Sequence, residues 1–241
     1  MIPARSGSER VPNKNILDFL GHPLLAYSIL YSRSCPLVTE VFVSTDSETI
    51  RDIAVNYGVD NVILRPANMA KSTSLDIEWI SHLDSTGNIN NPYAAIVRPT
   101  SPLRSIELLS NMFARLHASD FDSIRTIAKV KEHPGKMWTR KNGDEISPLL
   151  DLKENGVAFH AMQYASLPEV FVQTSVLEIF KVESMRKYGS REGSRVLGYE
   201  TSGSDSWAID LKEDWEHHLL AVSNNKHLSV LLEDLISGIA K

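Results

Sequence analysis

The chain has 241 residues, 42% of them hydrophobic and 23% charged, with a formal net charge of −5. That balance excludes a disordered or fibrous chain, and no apolar run approaches the ~20 residues of a membrane span. The acidic excess gives no global attraction for nucleic acid or an anionic membrane, so any phosphate site must be local. Cys35 stands alone, which rules out an internal disulfide and fits a reducing cytoplasm. Met1-Ile2-Pro3-Ala4-Arg5 has no h-region, so no signal peptide is expected. The length predicts a single domain over 1–241, with room for an arm.

Short apolar runs alternate with longer amphipathic stretches through the first half, which predicts a βαβα order. Glu40 to Ser44 reads as a strand, with Thr45 or Asp46 capping a helix that runs to about Tyr57. Asn61 to Leu64 is a second strand, Ser74 to Asp84 a helix, and Tyr93 to Arg98 a buried strand that stops at Pro99. Ser105 is the expected N-cap of a helix to about His117, and Ser123 to Val130 is the next strand. From about 130 to 172, prolines and glycines interrupt short runs without helical period, which predicts an irregular β-rich arm. Beyond it we expect a helix over Val176 to Lys187, a strand over Arg195 to Tyr199, a helix entered through Asp210, and a last helix from Leu228 to Ala240.

In an open parallel α/β sheet, ligands bind beyond the carboxyl ends of the strands, so polar residues just after a strand carry the most weight. Three such places stand out. Between Pro3 and Asn15, Gly7 and two serines let backbone amides approach an anion, and Arg5, Arg10 and Lys14 supply charge. It is neither a Walker A nor a G-x-G-x-x-G loop, and an ordinary basic surface loop has the same composition. Ser44-Thr45-Asp46 reads on its own as a helix cap. Arg98-Pro99-Thr100-Ser101-Pro102-Leu103-Arg104 is a proline-fixed turn whose arginines and hydroxyls suit either an anionic ligand or solvent.

Taken together, IPARSGSERVPNKNI, then VSTDSETI, then RPTSPLR resemble the acylneuraminate cytidylyltransferase family over nearly the whole chain. Leu64-Arg65-Pro66, Leu167-Pro168-Glu169-Val170 and Ile209-Asp210-Leu211-Lys212-Glu213-Asp214-Trp215 are further matches. The resemblance implies a Rossmann-like, mostly parallel sheet flanked by helices, with an inserted dimerisation arm. It also implies CMP transfer from CTP to the anomeric hydroxyl of a nine-carbon keto-sugar acid, release of pyrophosphate, a Mg²⁺ requirement and a homodimer. By the same resemblance Arg5, Ser8, Lys14 and Asn15 belong to the nucleotide loop, Ser72 helps hold the base, and Thr100 and Ser101 form the second nucleotide motif. Arg104 begins the sugar side, Lys136, His133 and Gln173 give sugar or dimer contacts, and Asp210 binds the metal; Arg5, Lys14 and Asp210 are the expected catalytic set.

Three departures accompany these matches. Glu9 stands where relatives commonly carry Lys, Ala208 replaces one carboxylate of a pair whose other member is Asp210, and only Met1 and Ile2 represent the apolar start of the first strand. They keep open a degenerate nucleotide-binding homologue, and a guanylyltransferase acting on a sugar 1-phosphate is the other alternative. His217-His218 reads as solvent-exposed rather than chelating, because adjacent helix residues face different ways. The four tryptophans read as core or interface anchors.

Overall fold

The computed structural model describes residues 1–237, and the chain divides into two compact units, Met1–Thr126 with Thr174–Lys241, and Ile127–Gln173. The strands are β1 (Ile2–Pro3), β2 (Phe42–Thr45), β3 (Asn61–Leu64), β4 (Tyr93–Val97), β5 (Ser123–Lys129), β6 (Phe171–Lys181) and β7 (Val196–Glu200). β1 pairs parallel with β2 and β2 with β3, whereas β6 runs antiparallel to β4 with Leu177 opposite Val97. The Met1 nitrogen donates to the Ala95 carbonyl at 2.7 Å and the Val97 amide to the Met1 carbonyl at 3.0 Å. This slanted pair is parallel bonding and sews the two groups of strands into the order β3-β2-β1-β4-β6-β5-β7. The expected α/β sheet is therefore present, parallel on one side and with an antiparallel strand in its interior.

The helices are α1 (Leu24–Ser34), α2 (Glu48–Asn56), α3 (Asp76–Ser85), α4 (Leu108–His117), α5 (Val182–Tyr188), α6 (Lys212–Asn224) and α7 (Lys226–Ser237). Sequence reasoning passes over α1 because every residue from Leu24 to Ser32 is buried. A helix covered on all sides has no polar face and hence no 3.6-residue period to find. The same effect misassigns Val176 to Lys187, which is not one helix: the chain is strand as far as Lys181 and helix only from Val182. Val176 to Phe180 is buried without a break, and an interior strand covered on both faces loses its alternation. The last helix spans Lys226–Ser237; the part expected over 238–240 lies outside the described residues.

The residues expected as N-caps of α2 and α4 serve elsewhere. Ser47, not Thr45 or Asp46, caps α2 by accepting from the Ile50 amide at 3.4 Å. Glu107, not Ser105, is the N-cap position of α4. α6 begins at Lys212 behind Leu211, and the Asp214 carboxylate accepts the Asp210 and Leu211 amides at 2.9 and 2.7 Å. No helix among the described residues is long and apolar enough to cross a membrane.

The second unit is built from two antiparallel hairpins, Trp138–Arg140 with Ile146–Pro148 and Lys153–Glu154 with Val157–Ala158. Asn155 and Gly156 both take positive φ, 50° and 81°, which is the turn chemistry of a two-residue hairpin. Trp138, Ile146, Leu149, Leu152 and Val157 are exposed on this unit.

Candidate functional site

The chain leaves β1 into a loop that is held at its ends and open between them. Asn15, buried, donates its side-chain amide to the Arg5 carbonyl at 2.9 Å, and the Ser6 amide and hydroxyl both donate to Asp46, at 2.8 and 2.7 Å. Burial would raise the Asp46 carboxyl, but these hydrogen bonds, together with a main-chain amide bond of its own and the charge of Arg65, hold the group below its ordinary range. Among the described residues the amides of Gly7, Glu9 and Arg10 make no hydrogen bond. Asn13 takes a left-handed conformation, φ 57°, which turns the chain into the short 3-10 turn Lys14–Ile16. Lys14 then points inward and donates to the Ile209 carbonyl at 2.6 Å, with Asp210 Oδ1 at 3.4 Å. Burial lowers the Lys14 pKa, and Asp210 opposes the shift.

A cleft of about 460 Å³ opens over this loop at the carboxyl ends of β1, β3 and β4. Arg5, Ser8, Lys14, Asn15, Ser72, Thr100 and Asp210 all line it, so the structure brings together residues that are far apart in the chain. Glu9 and Arg10 line it too, and Arg10 reaches Asp210 at 3.4 Å. Sequence reasoning did not single out Arg65, Lys71 or Asp76 as site residues, and all three contribute to its walls, as does Arg98 from the expected turn. Arg65 is the most telling. It is 7% exposed, its Nε is buried without a partner, and no hydrogen bond or ion pair of its guanidinium is formed among the described residues. Burial lowers its pKa. Its place immediately after β3 was the available signal.

Arg98 occupies the equivalent place after β4, and although its Nε is also buried without a partner, its terminal nitrogens are engaged. Its guanidinium pairs with Asp76 and, at 3.2 Å, with Glu178. Arg125 adds contacts to Glu178 and Glu192, both at 2.9 Å, and Arg191 contacts Asp76, Glu178 and Glu192. Three arginines and three carboxylates thus neutralise one another beneath the cleft wall. Burial would raise the Asp76 carboxyl, but hydrogen bonding and charge from Arg98, with Arg191, hold it far below its ordinary range.

Other expected site residues lie elsewhere. Ser101 is buried beneath the wall that Thr100 lines. Arg104 does not open a sugar side: it is 1% exposed and donates to the Val176 carbonyl at 2.9 Å, to the Ser28 hydroxyl at 3.2 Å and to the Arg98 carbonyl, with Tyr31 beneath it. Its guanidinium is spent on tying the turn to β6 and α1 and on the turn's own Arg98 carbonyl. Lys136, His133 and Gln173 belong to the second unit, where Lys136 donates to the carbonyls of His160, at 3.1 Å, and Met162. His133 accepts the Gly135 amide at 2.9 Å.

As to metal, no cluster of three or more His, Cys, Asp or Glu able to hold an ion occurs among the described residues. Asp210 offers one half-exposed carboxylate to the cleft. One half-exposed carboxylate in an open, cation-rich cleft, with Asp76 already ion-paired, fits Mg²⁺ that arrives with substrate phosphates, because that ion keeps most of its oxygen positions for phosphate and water.

The cytidylyltransferase family model matches residues 1–146, which contain the anion loop, Arg65, Ser72 and the Arg98–Arg104 turn. This chain belongs to the cytidylyltransferase family. It is 35% identical over 119 residues to a pseudaminic acid cytidylyltransferase of Campylobacter jejuni, an overlap of 48% of this chain and 51% of the relative. It is 25% identical over 222 residues to an N-acylneuraminate cytidylyltransferase of Streptococcus agalactiae, an overlap of 90% of this chain and 51% of that one. The chain therefore spans about half the length of these curated relatives. In fold, it resembles a CMP:2-keto-3-deoxy-manno-octonic acid synthetase complexed with CTP, with a TM-score of 0.64 at 13% identity over 92% of this chain and 97% of the other. The guanylyltransferase alternative finds no support among the relatives of this cytidylyltransferase-family chain.

Proposed function

We propose that this chain transfers CMP from CTP to the anomeric hydroxyl of a nonulosonic acid and releases pyrophosphate. The observation that carries the reading is the convergence, in one cleft at the strand ends, of Arg5, Lys14 and an unpaired Arg65 with Ser8, Ser72 and Thr100. Family membership and the printed activities of the sialic-type relatives support it.

The chemistry asks for charge neutralisation and alignment more than for a covalent intermediate. The open amides of Gly7, Glu9 and Arg10 and the cations Arg5 and Lys14 would take phosphate oxygens, so that negative charge developing on the leaving pyrophosphate is met by groups already in place. Arg65 would regain on ligand binding the hydrogen bonds it lacks. Asp210 would hold Mg²⁺ together with the nucleotide, and the metal when bound supplies further neutralisation of phosphate charge. The apolar exposed face of the second unit supports a homodimer, with the face covered by a second copy.

The test is pyrophosphate release with CTP and Mg²⁺ on a panel of N-acetylneuraminic, legionaminic and pseudaminic acids, alongside GTP with a hexosamine 1-phosphate. Turnover on a member of the first set alone is expected. Turnover with the GTP pair, or CTP binding without pyrophosphate release from any acid, defeats the reading.

A further inference from the structure

Two serines, each in a segment that also supplies cleft-lining residues, are held by aspartates in the same way. Ser6 gives its amide to one oxygen of Asp46 at 2.8 Å and its hydroxyl to the other at 2.7 Å. Ser105 does the same with Asp205, both contacts being 2.7 Å. The partners are 40 and 100 residues apart, so neither pair is a local helix cap. In each, a single carboxylate fixes the main chain and the side chain of one residue together, using both its oxygens for charge-assisted hydrogen bonds.

Each clamp sits at the root of a wall. From Ser6 to Arg10 the anion loop makes only one internal main-chain hydrogen bond, Ser8 amide to Ser6 carbonyl at 2.9 Å. Its position is therefore dictated from outside, by Asp46 on Ser6 and by Asn15 on Arg5. On the opposite wall the Ile209 amide donates to the Thr100 carbonyl at 2.7 Å. Together with Asp205 on Ser105, this stitches residues 205–209 to residues 100–105 at both ends, and Asp210 follows directly. Neither aspartate lines the cleft, so each would act only through the wall it holds.

We propose that Asp46 and Asp205 are positioning residues of the transfer reaction, Asp46 setting the phosphate-binding amides and Asp205 setting Asp210 against Thr100; this rests on the functional reading above. A preorganised donor array is lost when its supports are left free to move, even though every donor remains present.

The experiment uses the full chain, with three readouts: calorimetric binding of Mg²⁺-CTP, pyrophosphate release, and amide hydrogen exchange without nucleotide. In Asp46→Asn, exchange at Ser6 and the Kd for Mg²⁺-CTP should each rise about tenfold, the loss of roughly one charge-assisted hydrogen bond. In Asp205→Asn, exchange at Ser105 should rise similarly while kcat falls about tenfold and the CTP Kd stays within about threefold. Ser6→Thr keeps both donors and should bind CTP within about twofold of wild type, whereas Ser6→Ala, which leaves the main chain intact if Asp46→Asn fails to fold, should weaken binding about threefold. A purely structural role would lower Tm and leave Kd and kcat unmoved. Wild-type exchange in both Asn variants overturns the clamps whatever the nucleotide does, and faster exchange with unchanged Kd and kcat overturns positioning. A wild-type chain that binds no CTP defeats the functional reading instead, and shows itself in the control before any variant is compared.

Discussion

Arg65 and Arg98 occupy the same kind of place, one residue past the end of a strand and on the wall of one cleft, and they differ in whether a carboxylate touches them. Arg98 is locked into a six-member network with Asp76, Glu178, Arg125, Arg191 and Glu192. Arg65 is more buried and makes no such contact among the described residues. Burying a guanidinium without a partner is unfavourable, and a chain that keeps one at its cleft has a use for the donors it leaves free. On the proposed function, the ion-paired arginine is architecture and Arg65 is the one that receives the ligand.

The sharpest way to break that contrast is to remove a carboxylate from the network. Glu178→Ala takes away a buried group shared by three arginines and should cost about 3–5 kcal/mol of unfolding free energy in urea. A loss below about 1 kcal/mol would mean that the network is not structural.

The complementary change removes the unpaired cation. Arg65→Met should change stability little, because no hydrogen-bonded ion pair is broken and Asp46 keeps its bonds from Ser6, yet weaken CTP binding about tenfold. Lys14→Ala should weaken CTP by a similar factor or more, a charge-assisted contact being worth about 1.5–3 kcal/mol. A folded variant of either with wild-type CTP affinity would remove that cation from the ligand site.

Asp210→Asn asks whether the partly paired carboxylate belongs with the groups that receive the ligand. Because Asp214 holds the α6 amides, stability should survive, and turnover at limiting Mg²⁺ should fall about tenfold. Wild-type turnover at limiting Mg²⁺ would put the metal elsewhere.

Acid offers a gentler probe of the paired side. The Asp76 carboxyl titrates lower folded than unfolded, so its contribution is complete above the ordinary carboxylate pKa of about 3.9 and drains away as pH falls from there towards the depressed folded value. Unfolding free energy of wild type should therefore drop more steeply below about pH 4 than that of Asp76→Asn. Identical acid limbs would deny Asp76 its pairing.

The smallest effect is expected from Glu9→Lys. Glu9 is exposed at the cleft, and reversing its charge should tighten CTP by no more than about fivefold at low salt, an effect that added salt abolishes. No change would turn its carboxylate to solvent.

The anion loop and the Arg98–Thr100 turn were legible in the sequence because small residues, prolines and cations cluster directly after apolar runs. Ser72 and Asp210 were legible only through resemblance. Arg65 was overlooked because a lone arginine before a proline has no local signature, and its importance lies in partners it does not have. Arg104 was misplaced for the opposite reason: composition cannot tell a guanidinium bound to main-chain carbonyls from one facing a ligand. α1 and β6 were lost to complete burial, which erases the periodicity that sequence reasoning depends on. Asp46 and Ser105 each looked like a helix cap, and only the fold shows that their partners lie far along the chain.

Where the chain departs for residues 127–173 and where it returns are almost the same point, since the Thr174 hydroxyl donates to the Thr126 hydroxyl at 2.7 Å. The intervening stretch is therefore a cassette. Its removal in favour of a short glycine-bearing turn, or its exchange for a longer insert, leaves the sheet's own geometry unstretched, and loop closure adds only about 0.6 kcal/mol per doubling of length. What is carried at that junction can be rewritten without redesigning the sheet that bears the cleft.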